Sequence, residues 1–202
     1  MNPGGRVSIP TATLKTRKMR RLTQEKVLVT AEELWRMPTS GRRYELVRGE
    51  LVEMTPVGPR HGRIAVRIAR RLDEFVDAHG LGYTMVETGF RLEHQPDTVR
   101  APDVSYLSKE RMPPEDHEGY VSGAPDLDVE IISPGERDAD VQSKVMDYLA
   151  HGTRLVWVVR PHQRTVTVYR ADGTARLLRE TDTLEGENVL PGFTLPLTDL
   201  FS

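Results

Sequence analysis

Leu127-Asp128-Val129-Glu130-Ile131-Ile132-Ser133-Pro134, then residues 138–151, then Leu155-Val156-Trp157-Val158-Val159, is the stretch that decides the fold. The first piece is rich in β-branched residues and is stopped by Ser133-Pro134, so 127–132 reads as a strand. In the second piece Val141, Val145, Tyr148 and Leu149 form one apolar stripe at helical spacing, and Gly152 marks its end. The third piece is wholly apolar, as an interior strand should be. Upstream, residues 82–92 and 99–107 are strand-like and bounded by Pro, Gly and Asp. Before them, residues 61–79 place Ile64, Ile68, Leu72 and Phe75 on one helical face, and Gly80 and Gly82 close the helix. Helix, three strands, helix and strand predict an α/β (or α+β) sandwich with a mixed sheet flanked by helices.

The flanks add smaller elements. Thr30 with Glu33 is a capping-box pattern, so a short helix should span 31–37 and stop before Pro38. Residues 44–47 and Glu50–Met54 read as a hairpin around Arg48-Gly49. Residues 108–125 are polar and proline-bearing, a long loop. Thr165–Arg170 alternates and turns at Asp172-Gly173, so a hairpin partner follows.

Composition narrows the function classes. The chain has 202 residues, room for one domain or one domain plus an arm. No run of about 20 apolar residues occurs, which excludes a helical membrane span. Cysteine is absent, which removes disulfides, thiolate zinc sites, iron–sulfur clusters and cysteine nucleophiles. The six histidines show no zinc-ligand spacing. No nucleophile elbow, Walker loop or dinucleotide fingerprint occurs.

The formal net charge of −2 hides an asymmetry. Residues 1–29 carry seven basic side chains against Glu25, a surplus of six; the other 173 carry 21 basic against 29 acidic, a deficit of eight. The basic segment reads either as an arm that touches nucleic acid or as an extension without that role, with Met19 as an alternative start. No apolar stretch of secretory type follows the charges, so residence in the cytoplasm is the expectation.

The sharpest chemistry lies in carboxylates placed where strands should be apolar. Asp103 follows Pro102 inside one strand-like segment, and Glu130 sits in another. Desolvating a carboxylate costs several kcal/mol, on the order of the buried-ion penalty, unless a cation compensates. Two such groups on neighbouring strands can converge on a hard divalent cation such as Mg²⁺ or Mn²⁺. Lys144 lies at the edge of the second helix's apolar stripe. Spacing alone leaves a second reading open: two structural salt bridges and a lysine that reaches along an apolar edge to water.

The ordered set Tyr44-Glu45-Leu46-Val47-Arg48-Gly49-Glu50-Leu51, Pro59-Arg60-His61, Arg100-Ala101-Pro102-Asp103-Val104, Val129-Glu130-Ile131-Ile132-Ser133-Pro134 and Lys144 with Tyr148 and Gly152 resembles the Uma-type restriction endonuclease family. That family belongs to the PD-(D/E)xK nuclease-like superfamily. The resemblance covers residue 30 to the C-terminus, so it implies 30–202 as the restriction-endonuclease-like domain, while the charge pattern sets residues 1–29 apart as a basic, flexible arm. It implies an αβββαβ core, preceded here by the N-terminal helix and hairpin. It implies Asp103 and Glu130 as ligands of Mg²⁺ (or Mn²⁺), with the Ile131 carbonyl as a third. The superfamily lysine should stand two residues after Glu130, where this chain has Ile132. Lys144 on the following helix is the lysine the resemblance implies, positioning or deprotonating the attacking water.

Glu50 and His61 are secondary candidates on the same resemblance, as a further metal ligand or substrate contact. The bland alternatives are a hairpin charge and a histidine bonded near a helix start. Glu45 alternates onto a different strand position and ranks lower. Arg60, Arg63, Arg67, Arg70 and Arg71 could track a phosphate backbone, but Glu74, Asp73 and Asp77 favour a salt-bridged solvent face. The expected function is metal-dependent hydrolysis of a phosphodiester bond, of DNA, by an enzyme whose homodimer would match a duplex. The alternative is a non-catalytic nuclease-like fold that binds nucleic acid or assembles with protein.

Overall fold

The computed structural model describes residue 1, residues 27–38 and residues 41–202. Most of the basic arm, residues 2–26, lies outside the described residues.

Helix α1 (Ala31–Trp35) opens on the expected capping box: Thr30 caps the Glu33 amide and Glu33 reaches back to the Thr30 amide. Strands β1 (Arg43–Val47) and β2 (Glu50–Met54) form the hairpin, with Val47 opposite Glu50. Helix α2 (Pro59–His79) follows and ends on Gly80, whose φ of 61° is the left-handed conformation that a C-terminal glycine supplies. Strands β3 (Gly82–Val86), β4 (Phe90–Glu93), β5 (Thr98–Arg100) and β6 (Val104–Ser108) come next. A short 3₁₀ turn (Lys109–Arg111) and β7 (Val121–Ser122) lie in the segment expected to be a plain loop. The remainder is β8 (Leu127–Ile131), α3 (Asp138–Ala150), β9 (Leu155–Arg160), β10 (Thr165–Arg170), β11 (Ala175–Arg179), β12 (Thr183–Glu185), β13 (Thr194–Pro196) and α4 (Leu197–Phe201).

Two larger sheets result. The six-stranded sheet runs β11-β10-β9-β8-β6-β3 and is mixed, since β8 and β9 are parallel and the other pairs antiparallel. The five-stranded sheet runs β2-β1-β5-β4-β7. The strand pattern predicts one strand over 82–92 and one over 99–107, and each is two. Glu87, at a positive φ of 51°, with Gly89 breaks the first. Pro102, which has no amide to donate, breaks the second. Each break passes the chain from one sheet to the other.

Alternation then sorts the six-stranded sheet into two faces. Leu127, Val129 and Ile131 pack with Ile64, Ile68, Leu72 and Val76 of α2, together with Leu155, Trp157 and Val159. The opposite face, with Leu107, Val156 and Val158, takes Val141, Val145 and Tyr148 of α3. The apolar tail, including Val189, Leu190, Phe193 and Leu200, folds back onto the α2 side. A third cluster joins Ala31 and Leu34 of α1 to Leu46 and Val99. Among the described residues no helix is long and apolar enough to cross a membrane.

Candidate active site

Asp103 occupies the crossing between sheets, one residue before β6. The antiparallel register that pairs Val104 with Val129 would bring Pro102 opposite Ile131. The backbone has turned away there, and the Asp103 carboxylate substitutes for it. Its Oδ2 accepts the Ile131 amide at 2.6 Å and faces His61 Nε2 at 3.1 Å. The first turn of α2 supplies His61, which is buried. Burial alone would lower the imidazole pKa, but its hydrogen bond to Asp103 and the Asp103 charge outweigh burial and raise it.

Glu130 points from β8 to the α3 face, because it is one residue out of phase with Val129 and Ile131. It is 2% exposed. Lys144 Nζ donates to Glu130 Oε2 at 2.9 Å, while Glu130 Oε1 is buried with no partner among the described residues. Burial pushes the Glu130 pKa up, the Lys144 charge offsets part of that, and Asp103 and Glu45 add to it, to about 7. Burial would lower the Lys144 ammonium, but Glu130 and Glu45 override it, so its pKa lies above the usual range.

Glu45, ranked low from the sequence, is part of this group. It is 2% exposed and stands 3.8 Å from Lys144 Nζ through Oε1. Glu45 Oε2 accepts from Arg100 Nη1 at 2.7 Å, and Oε1 also accepts the Ala101 amide at 3.1 Å. Arg100 bridges onward to Asp147 of α3, with Nε at 3.1 Å and Nη2 at 2.5 Å from the same oxygen. The sequence signal for Arg100 was a charge in a strand-like segment directly before Ala101-Pro102-Asp103; the fold shows that all three residues of that strand are buried. For Glu45 there was no local signal: that neighbours 45 and 46 are both buried, so that both strand faces are covered, is visible only in the fold.

Asp103, Glu130, Lys144 and His61 are thus brought together. Glu50 is placed apart: it opens the outermost strand of the five-stranded sheet at the hairpin turn, and it is exposed. Arg160, at the end of β9, pairs with Asp138 at the start of α3.

The group's electrostatics suit a divalent cation. Glu45, Asp103, Glu130 and Asp147 set four carboxylates against two cations, Arg100 and Lys144. A protonated His61 would still leave one net negative charge. The unpartnered Glu130 oxygen is an acceptor without a donor in a desolvated place, which costs about 1–3 kcal/mol if nothing binds it. Among the described residues no three His, Asp or Glu side chains form a ligand cluster. The set that the resemblance implies is smaller in side chains: Asp103, Glu130 and the Ile131 carbonyl.

A family model described as "Uma2: Putative restriction endonuclease" matches residues 31–198. A crystal structure described as "a putative nuclease belonging to DUF820", from Anabaena variabilis, shares the fold with a TM-score of 0.75. The two are 22% identical, and the match covers 86% of this chain and 97% of that one. No curated protein matches the chain.

Proposed function

Because the chain belongs to the Uma2 family, described as "Putative restriction endonuclease", we propose that it is a divalent-cation-dependent endonuclease that hydrolyses phosphodiester bonds of DNA. The observation that carries this reading is the buried Glu130, one oxygen held by Lys144 and the other unpartnered, joined through Ile131 to Asp103.

Asp103, Glu130 and the Ile131 carbonyl would hold the cation, Mg²⁺ or Mn²⁺. Such a cation, when bound, supplies Lewis acidity toward the phosphate and a more acidic water. The chain's own groups do the rest. The Ile131 amide and His61 fix the Asp103 carboxylate. Lys144 is protonated at neutral pH, so it serves as donor and charge rather than as base. It orients the attacking water and stabilises charge on the five-coordinate phosphorus. His61 acts by positioning Asp103, and Glu50 has no part in this chemistry. A two-fold dimer would let two such centres meet both strands of a duplex.

Supercoiled plasmid, linear duplex and single-stranded DNA, each with Mg²⁺ or Mn²⁺, provide the test. Wild type should cut at least one of them, and Asp103→Ala and Lys144→Ala should lose about 10²–10³-fold in rate or more. Both variants should keep the wild-type circular-dichroism spectrum. Undiminished cleavage by either folded variant would overturn the assignment. The described body is acidic, which by itself repels a polyanion. Wild type that binds Mn²⁺ and DNA but cuts none of the substrates would favour a nuclease-like binding module instead.

A further inference from the structure

We propose that Glu45, fixed by Arg100 and Asp147, is a second counter-ion that keeps Lys144 in the site whenever the charge of Glu130 is engaged elsewhere. The inference rests on the reading of the Glu130–Lys144 pair as the reaction centre. That centre contains a conflict. Lys144 has one close partner, Glu130 Oε2 at 2.9 Å. Glu130 is also the carboxylate proposed to bind a cation, and doing so spends the charge that holds the lysine. A lysine side chain is long and flexible, its ammonium is strongly hydrated, and Lys144 is 16% exposed. Held by Glu130 alone, it would swing to water at the moment it is needed.

Glu45 removes that conflict by geometry. Its carboxylate is anchored on two sides, by Arg100 Nη1 at 2.7 Å and by the Ala101 amide at 3.1 Å. Neither anchor is a group proposed to bind the cation or the substrate. The anchored carboxylate leaves Oε1 at 3.8 Å from Lys144 Nζ, near enough to act on its charge. Arg100 grips Asp147 with two more N–H groups. Asp147 and Lys144 lie three residues apart on α3, so the guanidinium sets the placement of the helix that carries the lysine. Burying Arg100 at 5% exposure carries a desolvation penalty that a fold needs only if the position matters. Arg100 also immediately precedes Ala101-Pro102-Asp103. One cation therefore ties together β1, α3 and the crossing that carries Asp103. Glu45, Arg100 and Asp147 are positioning residues: they act on Lys144 and not on substrate.

The test needs no metal and no cleavage. Replacing Glu130 by Gln imitates a Glu130 whose charge is spent. The rate of reductive methylation of Lys144 at a single pH, read by mass spectrometry, reports whether the ammonium is held, and the exposed Lys109 is the internal reference. In Glu130→Gln, Lys144 should still react more slowly than Lys109, and in Glu130→Gln with Glu45→Gln it should react on the order of tenfold faster than in Glu130→Gln alone. Glu45→Asp in the Glu130→Gln background, which keeps the charge, should restore slow labelling. Fast labelling in Glu130→Gln alone would overturn the proposal, as would slow labelling in the folded double variant. Should the double variant fail to fold, the Glu130→Gln rate decides by itself. Mn²⁺ titration of wild type by calorimetry is read separately. Absence of Mn²⁺ binding would sink the metal-dependent reading, while the labelling rates would still decide the role of Glu45.

Discussion

Asp128 is a residue that the proposed chemistry leaves without a task. It lies on β8 two residues before Glu130, on the same face, at 0% exposure, and neither of its oxygens has a partner among the described residues. Ser105 stands opposite it in the ladder, and the Ser105 hydroxyl is unpartnered too. Burial, reinforced by the Glu130 charge and only partly offset by Lys144, raises the Asp128 pKa well above its ordinary value. A carboxyl raised by folding contributes stability that is fully present below its unfolded value. That stability is lost as pH rises through the folded value. Asn has the same shape and nothing to ionise. Asp128→Asn should therefore be more stable than wild type by about 1–2 kcal/mol at pH 8, with the gap closing toward pH 4. Urea unfolding at the two pH values checks this; a gap that grows on acidification would contradict it. Mn²⁺ affinity should be unchanged, because Asp128 is not in the proposed ligand set. At this scale the sequence disclosed the carboxylates but not their assignment. Asp103, Glu130 and Lys144 stand out as charges in apolar patterns, whereas Glu45 looks like one face of an ordinary hairpin strand. What makes Glu45 central is the approach of Arg100 from β5 and Lys144 from α3, long-range facts that no local pattern contains.

At the scale of elements, the long periodic ones were legible and the broken ones were not. Helix α2 was expected from residue 61 and begins at 59; α3 was expected over 138–151 and spans Asp138–Ala150. Both carry continuous apolar stripes that a local reading can follow. The segments around Glu87 and Pro102 read as single strands because their composition stays strand-like across a switch between sheets. The small β12–β13 ladder escaped notice, since three-residue strands carry too little pattern to detect. Helix α1 is short, and its five residues need tertiary help. Asp97 provides it. Its buried carboxylate accepts the Ala31 amide at 2.7 Å and both oxygens face Arg91 Nη2 at 3.0 Å, while Arg91 also grips Glu32. Burial would raise the Asp97 pKa, but the Ala31 amide, Arg91 and the Gln95 amide outweigh burial and lower it. A carboxyl depressed by folding contributes stability present above its unfolded value, and that stability is lost as pH falls through the folded value. Asp97→Asn should cost about 2–3 kcal/mol at pH 7, and the difference from wild type should shrink below about pH 4. Denaturant melts of both proteins at pH 7 and pH 3 measure the two gaps. An equal gap at both would mean that the ionisation of Asp97 is not what stabilises this site.

At the scale of the whole molecule, the question is how a chain with an acidic body approaches a polyanion. The arginines of α2 offer less than their number suggests. Arg63 and Arg67 are engaged with the C-terminal carbonyls of Ser202 and Leu200, and Arg70 pairs with Glu74 on the same helix. Arg70–Glu74 is one of the ion pairs expected on that face, whereas Arg63 and Arg67 are held by carbonyls instead. The cation proposed at Asp103 and Glu130 would cancel only two of the eight negative charges by which residues 30–202 exceed their positive ones. The surplus of six positive charges in residues 1–29 is then the main attraction the chain can present at long range. All of that surplus lies in residues 2–26, whose removal takes the net charge from −2 to −8. Each phosphate that the arm no longer neutralises should reduce the slope of log affinity against log salt by about 0.9 on a duplex. A chain lacking residues 2–26 should therefore bind duplex DNA more weakly at low salt, with a slope shallower by several units, and the two proteins should converge as salt rises. Fluorescence anisotropy across a potassium chloride series, in EDTA so that no strand is cut, makes the comparison. Equal slopes for the two chains would assign the arm no role in neutralising phosphates and return the electrostatic burden to the body.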